Sequence, residues 1–97
     1  MSVTKIQNWF REGVTAAKTG DTAQARQLLL QVVEADEGHE QAWLWLSGVL
    51  ESDEEKRICL ENVLTINPDN VAAQRGLAKL EAGDSGSQEM EENGRKR

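Results

Sequence analysis

The stretch EQAWLWLSGVL, residues 40–50, holds two of the chain's three tryptophans and almost no polar residues. Its apolar run, 42–46, is five residues long and is the longest strongly apolar run in the chain. A bilayer-crossing helix needs about 20 such residues, so the stretch does not cross a membrane. Gly38 breaks the chain before it. Ser52-Asp-Glu-Glu55 follows it as an S-x-x-E capping box, which starts a new helix. The stretch therefore reads as one short helix, about 40–51, set between two others.

Similar signals divide the rest of the chain. A first helix spans about 3–19 and stops at Gly20, a natural left-handed cap. Asp21, with Gln24 three residues on, opens a second helix as another capping box. That helix carries Ala25, Leu28, Leu29, Val32 and Val33 at helical spacing and ends near Asp36. The helix after Ser52 presents Leu60, Val63 and Leu64 on one face. It ends at Asn67-Pro68, because the residue before proline disfavours the α region. Asp53, Glu54 and Glu55 suit the positive end of its dipole. Asp69 or Asn70 caps a fifth helix through Val71, Leu77 and Leu80. No two-residue alternation is sustained anywhere, so the fold class is all-α with five helices. Residues 83–97, GDSGSQEMEENGRKR, carry one apolar side chain, Met90. Such composition buries too little to offset its ordering entropy. It reads as a disordered tail or linker beyond a helical domain at 1–82.

Composition excludes several functions. The net charge is −6, from 17 acidic and 11 basic residues. A phosphate-backbone binder needs clustered Lys and Arg, so no nucleic acid and no anionic membrane are expected partners. Cys59 is the single cysteine, which suits a reducing, cytoplasmic setting and a buried structural thiol. The residues at the start have no apolar core of a signal peptide. His39, the only histidine, reads as part of a solvated acidic turn rather than as a metal ligand. No catalytic constellation and no phosphate-cradling glycine loop appears, so neither an enzyme nor a cofactor is expected.

The chain also repeats itself. Trp9 and Trp43 are 34 residues apart, and aligning them brings Gly13 onto Ser47. With a turn three residues shorter in the second unit, Leu29 falls on Leu60, Val32 on Val63 and Asp36-Glu37 on Asn67-Pro68. On these residues the chain resembles the tetratricopeptide repeat family. One unit covers 6–39, with Trp9, Gly13, Gly20-Asp21, Ala25, Leu29 and Val32. A second covers 40–70, with Trp43, Leu46, Ser47, Leu60, Val63 and Pro68. A lone first helix covers 71–82, with Leu77 and Ala78. Glu12 stands where the first unit's leucine belongs. The second unit lacks the Gly-Asp turn and has Lys56 for the small residue, a stem able to snorkel.

The resemblance implies a right-handed superhelical array of antiparallel hairpins, about two and a half repeats long, whose first helices line a concave groove. It puts Phe10, Val14, Leu44, Trp45, Arg75 and Lys79 toward that groove, with Gly48, Ala72 and Gly76. Family members that clamp a C-terminal carboxylate use Lys, Asn and Arg where this chain has Phe10, Val14, Trp45, Ala72 and Gly76. That activity is not carried over. The implied function is a non-enzymatic module or scaffold that binds a protein or peptide segment. Apolar contacts would come from Phe10, Val14, Leu44 and Trp45, and Arg75 and Lys79 would favour acidic flanks. Closure of the strip by the last helix is the alternative. Another is self-association, a homodimer with Trp45 buried against a second copy. Trp43 is expected in the core. Trp45, roughly 200° around the helix, is expected toward the groove.

Overall fold

The computed structural model describes residues 3–82. Those residues form five α-helices and no strand: α1 Val3–Lys18, α2 Thr22–Ala35, α3 Glu40–Val49, α4 Asp53–Ile66 and α5 Val71–Glu81. The tail reading at 83–97 lies outside them. No helix among the described residues is long and apolar enough to cross a membrane. Each helix packs on the next, and α1 also touches α3. The connections are three or four residues long.

Local chemistry sets every boundary. Gly20 has φ +90, a conformation that glycine adopts without Cβ strain. It lets the Asp21 amide donate to Ala16 O and the Gly20 amide to Ala17 O, a Schellman end. The Asp21 carboxylate then accepts from the Gln24 amide, and the Ser52 hydroxyl from the Glu55 amide. Only this forward half of each expected capping box forms among the described hydrogen bonds. At Asp21 the reverse half has no free donor, since its own amide closes α1. The third helix is shorter than expected, ending at Val49. Leu50 is extended, with ψ 150, and leads directly into the Ser52 cap.

The two longer turns repeat each other at an interval of 31 residues. Asp36 and Asn67 have nearly equal torsions, φ −144, ψ 92 and φ −142, ψ 93. Their side-chain oxygens accept from the amides of Gly38 and Asp69. His39 and Asn70 cap the next helix by accepting from the Ala42 and Ala73 amides. The Trp43 indole N–H donates to Glu37 O at 2.8 Å, and the Gln74 side-chain Nε2 to Pro68 O at 2.7 Å. The repetition is therefore one of hydrogen bonding as well as of letters. His39 is corrected here: it is not a solvated turn residue but a half-buried helix cap.

Two apolar clusters form the core. The first joins Ala16 of α1, Ala25, Leu29, Val32 and Val33 of α2, Ala42, Leu46 and Val49 of α3, and Cys59 of α4. The second joins Leu60 and Val63 to Ala73 of α5, with Leu77 and Leu80 packed on it. Trp43 packs against both. It was expected to be buried but is half-buried, because one edge of the ring reaches the Glu37 carbonyl at the surface. Cys59 is buried, and burial with the nearby Glu55 charge pushes its thiol up to about 11. Its thiolate is therefore scarce at neutral pH.

One polar contact ties the second cluster to α3. The Glu40 carboxylate accepts from the side-chain amides of Asn70 at 2.6 Å and Asn67 at 2.9 Å. These bonds hold it below its ordinary value. The folded state thus favours the charged form. Its contribution is complete above the ordinary carboxylate range and is lost as pH falls through the lower folded value. Stability curves of the native chain and Glu40→Gln are expected to converge as the pH is lowered. Curves that stay parallel in acid would show that the charge contributes nothing.

Candidate functional site

The six residues expected at a binding surface separate into four places. Phe10 and Val14 lie one turn apart on α1 and line a cleft of about 460 Å3. Gln7, Arg11, Thr15, Lys18 and His39 complete its wall. Phe10 packs beside the His39 ring, with centroids 4.8 Å apart and planes 39° from parallel. The same histidine is held by its cap on α3, so one residue positions Phe10 and starts the next helix. The sequence reads His39 as a solvated turn residue; the signal for a cap is its place one residue ahead of α3, where a side-chain acceptor is favoured.

Leu44 and Lys79 line a second cleft, about 410 Å3, between α3, α4 and α5. Glu51, Asp53, Lys56 and Leu60 also border it, so its charges are balanced. Trp45 is half-buried against the first cluster. Its own chain already covers part of the indole. Arg75 is exposed on α5 and lines neither cleft.

Two glycines placed at the groove behave differently. A Cβ on Gly76 would stand 2.9 Å from Leu60 Cδ1. Gly76 is therefore a close-packing point between α5 and α4, and it also lines the second cleft beside Lys79. A Cβ on Gly48 meets nothing within 4 Å, so helix packing does not require that glycine. Gly48→Ala is expected to stabilise the fold by about 0.5–1 kcal/mol through helix propensity. Denaturant unfolding measures it, and a lower midpoint would reveal strain at the end of α3.

Charge distinguishes the α1 cleft. Arg11 and Lys18 line it and no carboxylate does, in a chain of net charge −6. The cleft bordered by α1 and α2 mixes Arg11 with Glu12 and Asp21. No group of three or more His, Cys, Asp or Glu side chains suited to a metal ion occurs among the described residues. No protein-family model matches the chain, and no curated protein is significantly similar to it.

Proposed function

We propose that this chain is a non-enzymatic interaction module of the tetratricopeptide-repeat kind, a right-handed superhelical array whose α1, α3 and α5 face holds a segment of another protein. The α1 cleft carries this reading. It combines an apolar floor, Phe10 and Val14, with Arg11 and Lys18 and no opposing carboxylate. An apolar side chain flanked by Asp or Glu fits that combination. Lys79 beside Leu44 offers a similar but weaker pairing, because Glu51 and Asp53 border it as well. The 31-residue recurrence of turn chemistry supports an array of like units. The buried thiol suits a cytoplasmic scaffold. The partial cover on Trp45 weighs against a homodimer built on that ring.

The test is titration of the full chain with an acidic peptide bearing one central leucine, following backbone amide shifts. Shifts are expected on α1 and α3 near Phe10, Val14 and His39. Phe10→Ala should weaken binding by about tenfold or more, since burying such a ring is worth about 1.5–3 kcal/mol. Shifts confined to α2 and α4 would refute the reading.

A further inference from the structure

Helices α2 and α4 both pack on α3, and a cleft of about 500 Å3 lies between them. Leu30 and Val33 form one wall, Ile66 the other, and Trp43 of α3 lines the cleft between the two. Leu30 is 40% exposed and Ile66 37%, among the largest apolar side chains left open to water. Trp43 already donates its indole N–H to the Glu37 carbonyl. An arriving apolar group therefore meets the ring without leaving a donor unpaired. Glu34 of α2 and Glu37 of the turn that follows it line the same cleft, and no Lys, Arg or His does.

We infer that this furrow is a second docking surface, for a short amphipathic helix of a partner protein that carries Lys or Arg beside its apolar face. A furrow flanked by two helices accepts the apolar face of a third, with anchors at helical spacing. The paired carboxylates fix the sign of the partner's charge and disfavour acidic segments. A large, half-exposed tryptophan between aliphatic walls is the usual kind of binding anchor. Apart from Trp43 of α3, the surface lies on α2, α4 and the turn after α2, and it shares no lining residue with the two clefts of the face proposed above.

The full chain is titrated with three designed peptides of about four turns: an amphipathic leucine–lysine helix, its glutamate counterpart, and a scrambled leucine–lysine sequence. The amphipathic lysine helix should shift the amides around Leu30, Val33 and Ile66 and the Trp43 indole. The glutamate version should not. Leu30→Ser, at an exposed position that spares the fold, should weaken binding about tenfold, and so should Glu34→Lys with Glu37→Lys. Equal binding of the scrambled peptide would overturn the proposal, as would shifts elsewhere or no binding. The same shifts on raising protein concentration alone would put a second copy in the furrow and also overturn it.

Discussion

Leu29→Ala is expected to destabilise the domain by about 3–5 kcal/mol, the upper range for a buried leucine whose cavity cannot collapse. Leu29 is fully buried and lies in the cluster that joins α1, α2, α3 and Cys59 of α4. The members of that cluster are held by four helices, so little can move in to fill the space. Eighty described residues would support a total stability of about 4–12 kcal/mol. The variant should therefore lose a large share of its folded population. Leu60, its counterpart 31 residues later, is 5% exposed and sits in the smaller second cluster. Leu60→Ala should cost less. Chemical denaturation of both variants tests the order. A loss below about 1 kcal/mol at Leu29 would mean that α1 and α2 close over the gap.

Gly13→Ala is expected to destabilise by about 1–2 kcal/mol, although alanine is the better helix former by about 1 kcal/mol. The added methyl would stand 3.0 Å from Leu29 Cγ, 3.1 Å from Leu29 Cδ2 and 3.3 Å from Leu28 Cβ. Cγ and Cβ lie close to the backbone and cannot swing aside. At Gly76 the approach is nearer, 2.9 Å, but it is to the tip of Leu60, which can change rotamer. Gly76→Ala should therefore be nearly neutral. Combining Gly13→Ala with Leu29→Ala separates clash from propensity. Once the leucine is shortened the methyl has room, and the glycine substitution should become stabilising. The double-mutant cycle is expected to show a coupling of about 2 kcal/mol. Additive effects would mean that the two positions do not press on each other.

The caps and turns were legible from local chemistry. Gly20, Asp21 and Ser52 act within a few residues of themselves, so neighbouring letters suffice to place them; between Asp69 and Asn70 the letters do not choose, and Asn70 is the cap. Even His39 obeys the rule for a helix start, although its stacking on Phe10 was not readable. The binding residues were less legible, because helical spacing says which face a side chain occupies and not what stands opposite. Phe10 and Val14 meet cations in one cleft, while Leu44 and Lys79 meet carboxylates and another lysine in a second. Arg75 joins neither.

From the sequence alone, this protein is five amphipathic helices with short reversing turns and a recurring unit, because apolar spacing and capping act over one or two turns of chain. Tertiary structure alone decided the long-range matters. Glu40 reaches Asn67 and Asn70, 27 and 30 residues away. Gly76 lets Leu60 approach α5 closely. Trp43 stays half open between two core clusters, and Trp45 rests against the first. Each depends on how far apart packed helices stand, a distance set by side chains from both partners at once.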